Sequence, residues 1–236
     1  ERNTKPGAER LTDEVLQVRF STIDFDRSGT LSKRELEQVV TDVDVNAPGK
    51  FGITPLMLAA FRGFSKTVHC LLEKHADPLP KTEEGGCTAL TMAVLEGHKA
   101  VVVNLLNVQN NLEMVQHTEY DGSSALLRAC QNGHHDVALL LIEKKSEVNI
   151  QRTDTKRTPL IMAARAGSKR CVETLLKNKA DRFMADNDGN TALTQAAYFG
   201  HSEVVEVLAK WKADGADGSG AAEVGDTPVE KDEKDY

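Results

Sequence analysis

Aromatic side chains are scarce in this chain. Phe, Trp and Tyr make up 5% of its 236 residues although 40% of the residues are hydrophobic, which argues against one large aromatic-centred core and allows one or two domains. A basic excess is missing too. With 29 Lys and Arg against 36 Asp and Glu, the formal charge is −7, so the positive field of a nucleic-acid binder is not there and nucleic acid is not an expected partner. No apolar run approaches the roughly 18 residues of a membrane span, and the N-terminal stretch Glu1 to Arg10 has no hydrophobic signal region. Membrane insertion is not expected. The four cysteines, Cys70, Cys87, Cys130 and Cys171, contain no C-x-x-C pair, which fits neither a zinc cage nor a dense disulfide framework. The expectation is reduced thiols in a cytoplasmic protein, the cytoskeleton included. The chain opens on Glu1 rather than Met, so the expectation is a fragment or a processed product.

Catalytic signatures are equally thin. There is no G-x-S-x-G elbow and no H-E-x-x-H, and Gly218-Ser219-Gly220 has neither a preceding strand nor a following Lys-Ser/Thr to cradle phosphate. An enzyme is not expected. The charge is also unevenly spread: residues 212–236 hold eight acids and three bases, residues 1–45 ten acids and seven bases. The long middle is therefore nearly neutral, and the Gly/Ala/Asp-rich end reads as an acidic disordered tail or a truncated repeat.

The middle repeats itself. Thr54-Pro55-Leu56, Thr88-Ala89-Leu90, Ser124-Ala125-Leu126, Thr158-Pro159-Leu160 and Thr191-Ala192-Leu193 follow one another at spacings of 34, 36, 34 and 33. Each is followed by two small or apolar residues (Ala59-Ala60, Ala93-Val94, Ala129-Cys130, Ala163-Ala164, Ala196-Ala197). A glycine then stands nine residues after the Thr or Ser, at Gly63, Gly97, Gly133, Gly167 and Gly200, and an apolar pair closes the unit at Leu71-Leu72, Leu105-Leu106, Leu141-Ile142, Leu175-Leu176 and Val207-Leu208. The small pair lets two short antiparallel helices approach, the glycine ends the first helix in a left-handed turn, and the apolar pair buries against the next unit. His98, His134 and His201 each follow a unit glycine, so His134-His135-Asp136 reads as unit framework rather than a metal or acid–base cluster. Met57, Met92 and Met162 fall at core spacing and need no cofactor.

This pattern, with its period near 33 residues, resembles the ankyrin repeat. The resemblance implies an all-α solenoid of helix-turn-helix units with β-turn tips, five of them over residues 46–211, starting near 50, 84, 120, 154 and 187. Two departures stand out. The histidine that usually follows Thr-x-Leu is replaced by Met57, Thr91, Leu127, Ile161 and Thr194, and Lys156 stands where the other tips have Gly52, Gly86, Gly122 and Gly189.

Upstream, Asp24-Phe25-Asp26-Arg27-Ser28-Gly29-Thr30-Leu31-Ser32-Lys33-Arg34-Glu35 resembles a twelve-residue EF-hand loop. A hard cation needs six or more oxygens. Asp24, Asp26 and Ser28 supply side-chain oxygens, Thr30 its carbonyl, Ser32 a water-mediated ligand and Glu35 both carboxylate oxygens, with Gly29 at the sharp turn. Leu16, Phe20 and Ile23 share a helical face before the loop, and Leu36, Val39, Val40 and Val43 share one after it. The expectation is a single EF-hand module over residues 1–45 that binds Ca²⁺ with a dissociation constant on the order of 10⁻⁶ to 10⁻⁵ M or weaker. Its exit helix caps the repeats. No second loop completes the usual pair, so pairing with another EF-hand is a further expectation. Together the two patterns resemble the ankyrin repeat and EF-hand domain-containing proteins.

Turn tips and first-helix ends form the recognition surface of such a stack. In this chain they carry Phe51, Ile53, Phe61, Arg62, Leu95, Tyr120, Gln131, Asn132, Arg157, Arg165, Tyr198 and Phe199. Aromatic and Arg side chains anchor interfaces. The expectation is a calcium-responsive adaptor holding a protein partner on its concave face; a constitutive scaffold with a structural or non-functional EF-hand, and a regulatory module cut from a larger enzyme, stay open as alternatives.

Overall fold

The computed structural model describes residues 44–108 and 111–211. The loop expected to hold a cation, Asp24 to Glu35, the helices expected on either side of it and the acidic stretch after Trp211 lie outside the described residues. Eleven α-helices are found among those described. Five are inner helices that each follow a Thr-x-Leu or Ser-x-Leu triplet: α1 (Pro55–Phe61), α3 (Ala89–Leu95), α6 (Ala125–Gln131), α8 (Pro159–Arg165) and α10 (Ala192–Tyr198). Five are outer helices: α2 (Ser65–Glu73), α4 (Lys99–Leu106), α7 (His135–Glu143), α9 (Lys169–Lys177) and α11 (Ser202–Lys210). The eleventh, α5 (Asn111–Gln116), belongs to neither rank.

The Thr or Ser of each triplet starts the inner helix because its hydroxyl accepts the N–H three residues on. The distances are 3.3 Å from Met57 N to Thr54, 3.3 Å from Thr91 N to Thr88, 3.2 Å from Leu127 N to Ser124, 3.2 Å from Ile161 N to Thr158 and 3.4 Å from Thr194 N to Thr191. Two of the residues that replace the usual histidine close the exchange, with Thr54 N donating to Met57 Sδ and Thr88 N to Thr91 Oγ1. The unit glycines end these helices with φ between 71° and 75°. In that conformation the N–H after each glycine reaches back to the first small residue of its unit, as from His98 to Ala93 O at 2.9 Å. The small pairs of the first four units are fully buried, so adjacent inner helices pack closely: α1 on α3, α3 on α6, α6 on α8 and α8 on α10.

Outer helices bury one stripe, exemplified by Val68 and Leu71, Val102 and Leu105, Ala138 and Leu141, and Val172 and Leu175. The last unit corrects the sequence reading by one position. Leu208 is buried and stands eight residues after Gly200, as Leu71 does after Gly63, so its closing pair is Leu208-Ala209 rather than Val207-Leu208. The links between units also repeat: Asn46 Oδ1 accepts Asp77 N at 2.7 Å, and Asn149 Oδ1 accepts Asp181 N at 2.9 Å.

The hairpin tips are joined edge to edge. Glu83 N donates to Phe51 O, Tyr120 N to Gly85 O, Thr153 N to Asp121 O and Asn187 N to Thr155 O, all at 2.9–3.1 Å. Lys156 takes the left-handed conformation of the missing tip glycine, at φ 58°, a backbone state a side chain makes unfavourable. Helix α5 explains the 36-residue spacing between Thr88 and Ser124. It fills the extra length between α4 and the third tip, and buries Met114 and Val115.

Candidate functional site

Tips and inner-helix ends lie along one side of the stack, and the structure sorts the twelve proposed contact residues into three groups. Ile53 is corrected: it is 5% exposed and belongs to the core. It follows the left-handed Phe51 and Gly52, and that turn sends its side chain inward rather than to the tip. Phe51 and Phe61 are half-buried and pack against the same core. Arg62, Leu95 and Gln131 are half-buried. Gln131 also accepts Arg128 Nη1 at 3.3 Å.

Arg157 and Asn132 are engaged within the stack. Arg157 Nε donates to Asp186 Oδ2 at 3.4 Å, joining the fourth tip to the fifth, and Gln195 Nε2 reaches the same oxygen at 3.4 Å. Burial opposes ionisation of Asp186, but N–H groups of Asn190 and Asp188 and the Arg157 guanidinium outweigh it and hold its pKa below the ordinary value. Asn132 is exposed, yet its amide donates to Leu95 O at 2.8 Å.

The outward group comprises Tyr120, Arg165, Tyr198 and Phe199. Tyr120 is 65% exposed, with its ring over Gly86 and its hydroxyl 3.4 Å from Thr82 O. Tyr198 is 83% and Phe199 41% exposed, meeting edge to face at 5.0 Å, with the Arg165 guanidinium 4.7 Å above the Phe199 ring. These are aromatic and cationic groups presented to solvent from the tips and helix ends of the stack, the residue types that anchor protein contacts.

A polar network centred on the buried Glu119 was not legible as a unit in the sequence. Glu119 and Asp121 on the third tip face Arg128 of α6. Arg128 Nε donates to Glu119 Oε2 at 3.0 Å, and Nη2 contacts both Glu119 and Asp121. Arg152 of the fourth tip meets Asp121 and Asp154 at 2.8 Å each. Burial works against the charge on Arg128, but the Glu119 hydrogen bond and the charges of Glu119 and Asp121 outweigh it and raise its pKa. The Arg152 hydrogen bond is the main cause of a lowered pKa at Asp154. The available signal was an Arg four residues after a triplet Ser, where the other units have Leu58, Met92, Met162 and Gln195.

Three unit histidines act as cross-pieces. The Nε2–H groups of His98, His134 and His201 donate to Phe61 O, Leu95 O and Arg165 O of the preceding unit, each at 3.0 Å. Their rings lie against Gly63, Gly97 and Gly167, where an added Cβ would meet them at 2.6–2.7 Å. Burial and the Glu119 charge push the Cys87 thiol up to about 11, and the hydrogen bond with Cys171 and burial raise Cys130, whereas the hydrogen bond from Cys130 outweighs burial and lowers Cys171 to about 7, at a side chain fully enclosed in the core. A cleft of about 360 Å³ between Leu79, Lys81 and α5 is lined by Glu113, Met114 and His117. Among the described residues no group of three or more His, Cys, Asp or Glu is placed to hold a metal ion, and no helix is long and apolar enough to cross a membrane.

The family model described as ankyrin repeats (3 copies) matches residues 32–114, 81–154 and 126–218. Among curated proteins, the chain is 32% identical over 197 residues to the ankyrin repeat and KH domain-containing protein mask-1 of Caenorhabditis elegans, covering 72% of this chain and 7% of that protein. It is 35% identical over 92 residues to the probable E3 ubiquitin-protein ligase XBOS31 of Oryza sativa subsp. japonica, covering 39% and 20%. Against the human neurogenic locus notch homolog protein 2 it is 28% identical over 185 residues, covering 78% and 7%. The chain thus spans a fifth or less of each of these relatives. Overlapping family matches across most of its length, and five helix pairs with joined tips and shared caps, place the chain in the ankyrin-repeat family.

Proposed function

We propose that this protein is an interaction adaptor that holds a protein partner on the side of the stack formed by its tips and inner-helix ends. The observation that carries the reading is the outward set of Tyr120, Arg165, Tyr198 and Phe199, which are exposed to solvent while their neighbours pack the frame. The named activities of its relatives differ, from a KH-domain protein to a probable ligase. What they share with this chain is the repeat segment, which supports a binding role rather than a catalytic one. Affinity capture with a Phe61→Ala/Tyr120→Ala/Tyr198→Ala variant that folds normally tests it. Loss of partners held by the wild type is expected; recovery of the same set refutes the surface.

The finer reading is that the adaptor responds to calcium. The spacing of Asp24, Asp26, Ser28, Thr30, Ser32 and Glu35 around Gly29 supports a Ca²⁺ loop. Bound Ca²⁺ would shift the exit helix carrying Leu36, Val39 and Val40 against the first repeat, and so alter the end of the partner surface. Titration calorimetry of the chain and of Glu35→Gln decides this. Heat from the wild type alone supports the loop; equal heats from both overturn it. Partner capture that is the same with and without Ca²⁺ would favour a constitutive scaffold.

A further inference from the structure

The last helix pair, α10 with α11, ends the described stack with a face built like an interior one. Leu193 is 39% exposed, whereas its counterparts Leu56, Leu90, Leu126 and Leu160 are at 0–1%. Thr194 and Ala197 are exposed where Ile161 and Ala164 are buried, and Val205 is half-buried where Val172 is fully covered. A terminal unit that ends a repeat array normally carries polar side chains on its outer face. This one carries the same kinds of small and apolar residues as the units that are covered.

The polar fittings are open as well. In four places a tip carbonyl receives an N–H from the next tip, at Phe51, Gly85, Asp121 and Thr155. The fifth carbonyl in that series, Asp188 O, receives none among the described residues. Gly52, Gly86 and Gly122 are each closely approached by the following unit, as Gly63, Gly97 and Gly167 are by its histidine. Gly189 and Gly200 have nothing within 4 Å of an added Cβ.

The sequence after Trp211 contains the matching parts. Lys212-Ala213-Asp214 repeats Lys179-Ala180-Asp181, the link that leads from α9 to the fifth tip. Gly225-Asp226-Thr227-Pro228 repeats the tip pattern Gly52-Ile53-Thr54-Pro55, and Thr227 stands 36 residues after Thr191, the distance from Thr88 to Ser124. The family match also continues past Trp211, to residue 218. We propose that the end face takes up residues 212–228 of the same chain, with Gly225 to Pro228 forming a sixth tip seated against Gly189 and Asp188. This end face adjoins the partner-binding side at α10, which carries both Leu193 and Tyr198, but the inference does not depend on the adaptor reading.

The test compares the full chain with one ended after Trp211, by hydrogen exchange, thermal unfolding and sedimentation. Ending the chain is expected to speed exchange of the Thr194–Tyr198 amides at least tenfold and to lower Tm by about 3 °C, the scale of 1 kcal/mol for this size. Gly225→Val in the full chain should reproduce both effects without deleting anything. Leu193→Asp should lower Tm more in the full chain than in the shortened one. Identical exchange in the two chains with an equal Leu193→Asp effect overturns the proposal. So does a concentration-dependent mass that Leu193→Asp abolishes, which would assign the face to a second copy.

Discussion

Replacing Gly63, Gly97 and Gly133 in turn by alanine isolates what the unit histidines do. All three glycines have φ between 71° and 75°, so each substitution carries the same backbone penalty of about 1 kcal/mol. At Gly133 nothing further is expected, because the nearest atoms are those of Ser168 at 3.8 Å. At Gly97 the new methyl would lie 2.7 Å from the His134 ring, which must swing away and release Leu95 O. That carbonyl keeps Asn132 as a donor, so the added loss is about 1 kcal/mol, one net hydrogen bond. At Gly63 the clash with His98 is 2.6 Å, and among the described residues Phe61 O has no second side-chain donor to fall back on. An acceptor left unmet brings the extra loss toward about 2 kcal/mol. Urea denaturation should therefore rank the losses Gly63→Ala, then Gly97→Ala, then Gly133→Ala, near 3, 2 and 1 kcal/mol (about, from the terms above). His134→Ala in the Gly97→Ala background should cost much less than in the wild type. Equal losses at the three glycines, or additive behaviour in that cycle, would refute the cross-piece argument.

Other outcomes follow from single contacts. Arg128→Ala leaves Glu119, with its side chain 3% exposed, as a buried charge without its partner; a loss of about 3 kcal/mol is expected in chemical denaturation, with much of it recovered when Glu119→Leu is added. Lys156→Gly removes a side chain from a left-handed residue and should raise stability by up to about 1 kcal/mol, read as a higher denaturation midpoint. Asp186 has a folded pKa below its unfolded value. Its contribution is therefore present above the ordinary carboxylate pKa of about 4 and is lost as pH falls through the folded value. The Tm of Asp186→Asn should consequently approach that of the wild type as pH falls below about 4, the ordinary carboxylate value; a Tm difference that stays constant as the solution is acidified would contradict the assignment.

Much of the frame was legible because it rests on local rules. A Thr or Ser cap, a small pair and a left-handed glycine are fixed by residue type and spacing, and each performs as its chemistry requires. Ile53 was misjudged because a tip position says only where the backbone turns. The conformation of Phe51 and Gly52 decides which way the next side chain faces, and one sequence does not encode it openly. The Glu119, Arg128 and Arg152 network was missed for a different reason: its members come from two tips and one helix and become neighbours only through stacking. Helix α5 left a trace in the sequence as a 36-residue spacing, but two extra residues do not say whether they lengthen a loop or seat a helix.

The same distinction separates stability from recognition on the proposed partner surface. By residue type alone, Arg157 and Tyr198 are equally good anchors. Arg157 joins Asp186 across the tips, and the Asp186 side chain is 1% exposed, so Arg157→Ala leaves a buried carboxylate without its charged partner. Its expected effect is a lower denaturation midpoint, with affinity per folded molecule little changed. Tyr198 is 83% exposed and touches Phe199 by its edge, so Tyr198→Ala removes almost nothing from the frame and should leave Tm within about 1 °C, as exposed substitutions do. If the outward aromatics hold the partner, that same change should weaken capture at least tenfold, the scale of an anchor worth about 1.4 kcal/mol or more. Measuring Tm and partner retention on both variants crosses the two properties. A Tyr198→Ala variant that is destabilised but binds normally would reverse the assignment and move recognition toward the half-buried residues of the first two units, Phe61 and Leu95 among them.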